Sequence, residues 1–567
     1  MIEIGSIPPF VIFFVGAFLL AILRGPWRSV IALMIPVFGG VNLLAMEQGI
    51  LWQEPFLGYN LTIVKVDKLS VLFGYLFHIA AFFGIIYALH VRDTVQQVSS
   101  IVYAGSALGA VFAGDMIVLF IFWEMLAISS VFLIWARGTE RAYQSGMRYL
   151  ILQIGSGVIL LSGILINIHQ TGSIAITTMP LENLASWLIL LALGIKCAFP
   201  FLHTWLTDAY PEATPTGTVF LSAFTTKVAV YALARTFPGA EVLIYIGATM
   251  AMFPIFFAVI ENDLRRVLAY SLINQVGFMV VGIGIGTELA INGAVSHAFN
   301  DVIFKGLLFM TMGAVLHRTG KINGSELGGL YKSMPWTTGF CIVGAASISA
   351  FPLFSGFVSK SMVMVAALEE GHSIVWLMLL FASAGVFHHA GIKIPFFAFF
   401  AHDSGIRTKE APWNMLIAMG FASALCIFNG SYPAVLYSLL PHQVDYVPYD
   451  GTHVLAQMQL LFFSALAFVW LQRTGLYPPE LMSVNLDSDW FYRHLLKRLI
   501  QRTGNKLGKV NHRFNNQLIN VKRLVTSYLQ HYFSPTSLFG GTVKTGVAVA
   551  WISVLLLMVL IAAFSST

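Results

Sequence analysis

Long apolar runs, broken by short polar stretches, set the pattern of this chain. Runs of the length that crosses a bilayer, roughly 17–25 residues, fall near 8–24, 28–46, 68–89, 97–113, 116–135, 146–168, 183–206, 215–235, 241–260, 265–286, 290–316, 336–366, 373–400, 412–432, 454–472 and 543–563. They predict an all-α polytopic membrane protein with about 14–16 transmembrane helices. Composition agrees: 57% of the 567 residues are hydrophobic and 10% charged, against about 25% charged in a typical soluble domain. No cleavable leader is read ahead of the first run. Cys197, Cys341 and Cys426 lie in apolar segments without paired spacing, so neither a disulfide framework nor a metal site is expected. No cofactor is expected either.

The loops carry charge in alternation. Arg24 and Arg28, then Arg92, then Arg137, Arg141 and Arg148, then Arg265 and Arg266, then Arg318, Lys321 and Lys332, then Arg407 and Lys409 mark every second loop. Intervening loops are acidic or neutral, as at Glu369, Glu370, Asp445 and Asp450. The positive-inside rule then puts both termini outside. The stretch 473–542 differs, with Arg493, Lys497, Arg498, Arg502, Lys506, Lys509, Arg513, Lys522 and Arg523 close together and Val521, Leu524, Val525, Tyr528, Leu529 and Tyr532 at helical spacing. It predicts basic amphipathic helix on the cytoplasmic membrane surface or on a neighbouring subunit. Its place between two spans argues against nucleic-acid binding.

Ionisable residues inside the runs carry the chemistry, because a buried charge is costly and in membranes usually functional. Glu124 stands alone in "VLFIFWEMLAISSVFLIW" (118–135). Lys196 lies mid-run in "LGIKCAFPF" (193–201), where Pro200 deprives the Lys196 carbonyl of its helical partner and predicts a break. Lys227 has apolar neighbours on both sides, whereas Arg235 fits an interfacial anchor. His297, Asp301 and Lys305 follow at steps of four, on one helical face, as a proton relay or as an Asp301–Lys305 structural ion pair. Lys393 in "AGIKIPFFAFF" (390–400) echoes the Lys196 motif, with a proline two residues on that frees the Gly391 carbonyl. Lys360 follows a further break at "FPLFSGFVSK", its depth in the run left open. Burial and a nearby carboxylate push a lysine in opposite directions, so a pair that forms and breaks can make the amine hold or release a proton. This is ion-transport chemistry. No nucleotide-binding loop, nucleophile elbow or haem motif is present, so the chain is not read as an enzyme by itself.

The same residues carry a family likeness. "FWEMLAISS", "GIKCAFPFLHTWLTDAYPEATPTGTVFLSAFTTKVAVYALAR", "ENDLRRVLAYSLINQVGFM" and "SHAFNDVIFKGLLFM", within about 100–410, resemble the antiporter-like subunits of respiratory complex I and of Mrp-type multisubunit cation/proton antiporters. "ASAGVFHHAGIKIPFFAFFAHDSG" and "VNLDSDWFYR" resemble the D subunits of the Mrp antiporters most. The resemblance implies two inverted five-helix repeats, each with a broken helix, enclosing proton half-channels joined by a polar axis. It makes Glu124 the partner of Lys196, Lys227 the connecting lysine, Lys393 the lysine of the second half-channel, and His297 and Lys305 the link between halves. Relatives often have a histidine where this chain has Asp301. The expected organisation is N-terminal helices over 1–95, repeats over 96–260 and 261–435, a further helix in 436–472, the basic segment 473–542 and a last helix in 543–567.

The implied function is ion translocation in a multisubunit Na⁺/H⁺ antiporter of the cell inner membrane, alongside partner subunits and lipid. The alternatives are a proton-pumping subunit of a redox complex, the membrane partner of an inorganic-carbon uptake system, and a scaffold subunit that moves no ions. The intact set of buried charges argues against the scaffold.

Overall fold

The computed structural model describes residues 5–481, 485–537, 540–541 and 543–565, without the side chains of Lys497 and Val510; Val484, the first residue of "VNLDSDWFYR", lies outside the described residues. The chain forms two units, 1–487 and 488–567.

The first unit begins with α1 (Pro9–Ile22) and α2 (Pro26–Leu44), then strands β1 (Gly49–Phe56) and β2 (Tyr59–Val66). The strands form an antiparallel hairpin that hydrophobic-run reading misses. Its tip, Leu57 and Gly58, has positive φ at both residues, as a tight hairpin turn requires. There follow α3 (Lys68–Ala88), α4 (Thr94–Phe112), α5 (Met116–Trp135), α6 (Glu140–Thr171), α7 (Leu184–Cys197), α8 (Thr204–Ala209), α9 (Gly217–Ala223), α10 (Thr225–Thr236), α11 (Glu241–Ile260), α12 (Leu264–Ile285), α13 (Glu288–Thr319), α14 (Pro335–Ile348), α15 (Ser355–Glu369), α16 (Ser373–Val386), α17 (Trp413–Ser431), α18 (Ala434–Ser438) and α19 (Gly451–Thr474). In the second unit, α20 (Lys497–Phe533) and α21 (Thr545–Ser565) follow a π-helical turn, Phe491–Leu496.

Helix ends follow local chemistry. Asp67, Asp93, Asp115, Thr139, Asn183, Asp263, Thr287 and Asp450 each cap a helix N-terminus with a side-chain oxygen. Gly172, Gly286, Gly320 and Gly475 end helices in the left-handed conformation. Among the described residues thirteen helices are long and apolar enough to cross a membrane. The other three expected spans are α1, which is short, and two that are interrupted: α7–α8 and α14–α15. The run 336–366 is thus two half-helices and not one span.

The two interruptions share one backbone design. At "AFPF" (198–201) Ala198 and Phe201 have φ of 62° and 67°; at "AFPL" (350–353) Ala350 and Leu353 have φ of 59° and 72°. A non-glycine residue pays roughly 1–2 kcal/mol for this conformation, and these are four of the five such residues described. The internal echo therefore lies between 198–201 and 350–353, not between the two Gly-Ile-Lys segments. The second of those segments does not break: Phe387–Lys393 and Phe396–Phe400 continue α16 as π-helix, whose wider turn absorbs Pro395. Counting outward from the paired breaks, each is the fourth of five consecutive long elements, 94–236 and 241–400. Helix 241–260 opens the second set.

Residues 475–481 and 485–487 also depart from expectation, being irregular and not amphipathic helix. They pack on the first unit through acidic residues, with Glu480 paired to Lys393 at 2.9 Å and the Asp487 carboxylate accepting from Tyr270 at 2.7 Å. The basic helix is confined to α20, about 55 Å long at 1.5 Å per residue and exposed along its whole described length.

Candidate functional site

The buried ionisable groups gather around α13, which is enclosed on nearly every side. Asp301 on α13 and Lys227 on α10 are both fully buried and form an ion pair at 2.5 Å. Lys227 also donates to the Ser222 carbonyl at 3.3 Å, in the last turn of α9. The alternative pairing of Asp301 with Lys305, one turn along the same helix, is not the one adopted. Lys305 instead donates to Ser271 Oγ on α12 at 2.8 Å. The Asp301 charge nevertheless reaches both Lys305 and Lys360. One carboxylate therefore faces three buried lysines.

His297 continues the line one turn earlier on α13. Its Nε2 lies 3.1 Å from Gln275 Oε1 and its Nδ1 3.1 Å from Ser359 Oγ. The Gln275 amide nitrogen donates to Asn274, so Gln275 Oε1 accepts from the His297 Nε2–H. Ser359 is followed by Lys360, whose ammonium donates to the Ile348 carbonyl at 2.9 Å and lies 5.1 Å from the centre of the Phe278 ring. Ile348 is the last residue of α14, so Lys360 occupies the C-terminal end of the broken half-helix, where the peptide dipoles favour a cation. Sequence reasoning saw Lys360 without placing it. The repeated Ala-Phe-Pro motif ten residues before it was the available signal.

At the first break Lys196 is wholly buried, donates to the Trp123 carbonyl at 2.5 Å and sits 4.2 Å from the centre of the Trp123 ring. Trp205 fills the gap in the interrupted helix by donating to the Ile195 carbonyl at 2.8 Å. Glu124 is the next residue after Trp123, yet no ion pair joins it to Lys196. Its carboxylate lies against α6 where Gly157 lacks a side chain, and its Oε1 has no hydrogen-bond partner. Trp123 Nε1, Ser156 Oγ and the Ala192 carbonyl form a hydrogen-bonded bridge across α5, α6 and α7 beside it.

Lys393 stands apart from this set. Its ammonium donates to the carbonyls of Ala258, Val259 and Glu261 at 3.3, 2.7 and 2.6 Å, closing the C-terminus of α11, and pairs with Glu480. Burial raises the Glu480 carboxyl pKa, with Lys393 opposing. All three donors of Lys393 are thus committed to holding the end of α11 and the 473–481 segment. Arg265, which charge counting treats as an ordinary loop residue, is fully buried and donates to the carbonyls of Pro211, Ala213 and Thr214 at 3.0–3.2 Å and to Thr218. It fixes the turn between α8 and α9, and hence the approach to Lys227.

The model of the NADH:quinone oxidoreductase/Mrp antiporter transmembrane family matches residues 113–426. The A subunit of the Na⁺/H⁺ antiporter of Alkalihalophilus pseudofirmus is 31% identical over 459 residues, covering 71% of this chain and 56% of that protein. The D subunit from the same organism is 30% identical over 309 residues, 50% of this chain and 62% of that protein. The chain thus spans little more than half the length of these relatives. Among solved structures, a component of the Mrp complex from Dietzia sp. DQ12-45-1b has a TM-score of 0.77 at 23% identity, over 98% of this chain and 66% of that one.

Proposed function

The chain belongs to the NADH:quinone oxidoreductase/Mrp antiporter transmembrane family, and we propose that it is the ion-translocating subunit of a multisubunit Na⁺/H⁺ antiporter of the inner membrane, working beside partner subunits. The observation that carries the reading is the wholly buried Asp301–Lys227 ion pair, with Lys305 one turn along the same helix and Lys360 buried within reach of the same charge. Two positive charges about 8 Å apart repel by roughly 2 kcal/mol at an effective dielectric of 20. With a single carboxylate to share, a proton reaching one lysine therefore lowers the affinity of the others. Protons enter on the Glu124–Lys196 side and load Lys227 against Asp301. They pass through Lys305 and the Ser271 hydroxyl, then through His297 and Ser359 to Lys360. In this scheme Lys360 takes the role that the family likeness gave to Lys393, which serves as a structural clamp. Movement of Lys196 from the Trp123 carbonyl toward Glu124 is the switch on the entry side, and cation movement is coupled to it.

The family's own description also covers NADH:quinone oxidoreductases, so the second reading is a proton-pumping subunit of a redox complex. The test uses everted vesicles holding this chain with all its partners. Addition of Na⁺ should collapse a preformed pH gradient without any redox substrate, and Lys360→Ala and Lys305→Ala should abolish that collapse. Collapse that survives in Lys360→Ala overturns the proposed path, and proton movement that requires an electron donor selects the redox reading.

A further inference from the structure

A recess of about 760 Å³ lies between the spanning helices α2, α3 and α17 and the short α18, with Phe299 of α13 in its lining. Its walls include Val41, Phe82, Phe421, Phe428 and Leu439, and no charged side chain lines it. Val41, Phe421 and Phe428 are exposed at its mouth. The polar residues in the wall are Tyr75, His78 and Asn429. His78 Nδ1 lies 2.7 Å from the Gly74 carbonyl of its own helix, and its Nε2 is tucked against Gly39. Asn429 donates its amide to Asn300 Oδ1 at 3.0 Å. Apart from Tyr75 and the buried His78 Nε2, which has no hydrogen-bond partner, the recess offers hydrocarbon contact and no charged side chain.

We propose that this recess holds an acyl chain of a bilayer phospholipid. The molecules that reach its mouth are lipids or the helices of neighbouring subunits. A spanning helix about 10 Å wide and 30 Å long fills roughly 2,400 Å³, three times the recess, whereas a flexible chain enters it end-on or folded. Left unfilled, the aromatic walls lose dispersion contacts that hydrocarbon restores.

The site is placed to act on the buried lysines. Asn429 holds Asn300, the residue before Asp301, and Asn300 in turn donates to the carbonyl of Ser355 at 2.9 Å. Ser355 opens α15, the half-helix that carries Lys360. A chain seated against Phe299 and Asn429 fixes both sides of this bridge, so lipid occupancy sets how firmly the second break is held beside Asp301. The binding itself does not depend on which ion the protein moves.

The experiment uses the protein with its native partners in phosphatidylethanolamine/phosphatidylglycerol vesicles containing a phospholipid with a diazirine in mid-acyl chain. After photolysis, adducts should concentrate on 37–44 and 421–428. Filling the recess with Ala424→Trp should lower them about tenfold, equivalent to ~1.4 kcal/mol. The smaller Ala424→Leu should give an intermediate yield, and Ile427→Trp, on the same helix outside the recess, should leave labelling unchanged. Equal labelling in wild type and Ala424→Trp overturns the proposal. So do adducts spread evenly over all lipid-facing helices, or crosslinks from the recess to a neighbouring subunit in place of lipid.

Discussion

Replacing Asp301 by asparagine separates the structural weight of the Lys227–Asp301 pair from its part in transport. The amide keeps the shape of the carboxylate and removes the charge that lies 2.5 Å from Lys227. Breaking a buried ion pair from one side typically costs 3–5 kcal/mol, because the remaining charge is left without a partner. Here the cost falls on all three lysines that share the carboxylate. Asp301→Asn should therefore lower stability by about 3 kcal/mol or more and slow proton transfer by at least two orders of magnitude, at 1.36 kcal/mol per tenfold. Lys227→Met should cost less, since Asp301 keeps Lys305 and Lys360 within reach. The double variant should recover part of the stability that Asp301→Asn loses, with no recovery of transport. Thermal unfolding followed by size-exclusion chromatography reads the first quantity, and Na⁺-driven collapse of a pH gradient in everted vesicles reads the second. The reasoning fails if Asp301→Asn keeps half of its transport, or if Lys227→Met restores transport to it.

Other expectations follow from local geometry. A Cβ at Gly157 overlaps the Glu124 carboxylate, whereas one at Gly155 meets nothing within 4 Å; Gly157→Ala should impair antiport while Gly155→Ala, in the same helix, leaves it intact. Lys393→Ala removes the closure of α11 and leaves Glu480 buried without its partner, so it should lower the melting temperature, and adding Glu480→Gln should recover part of the loss if the role is structural. Asp67 caps α3 and pairs with Arg235 at 2.5 Å. Burial acts to raise its pKa, but hydrogen bonding and charge from Arg235 prevail and lower it below 3.8. A carboxylate with a lowered folded pKa stabilises fully above its unfolded value and loses that contribution as pH falls through the folded one. Asp67→Asn should accordingly destabilise the protein at pH 6 and flatten the drop in melting temperature that wild type shows below about pH 4; an unchanged acid profile would refute the assignment.

The sequence alone determined the class of protein, nearly every helix and most of the charged residues that lie buried inside the spans. That legibility has a physical cause. A segment in a bilayer satisfies its backbone internally and shows an apolar surface, so length and composition mark it, while Asp, Thr and Asn caps and left-handed glycines mark its ends. A charge inside such a run stands out because it is costly there. The partner of each charge was a different matter. Steps of four left Asp301 and Lys305 open as members of a relay or as an ion pair, and Asp301 paired with Lys227 on another helix. The likeness of two Gly-Ile-Lys segments suggested equal roles, but Lys196 ends a true break and faces an aromatic ring, while Lys393 lies in unbroken π-helix and closes the end of α11. Lys360, ten residues beyond a motif only four residues long, was left unplaced. Tertiary structure decided these cases because ion pairs and freed carbonyls are satisfied by whichever helix packs within about 3 Å, and that neighbour is seldom the next in sequence.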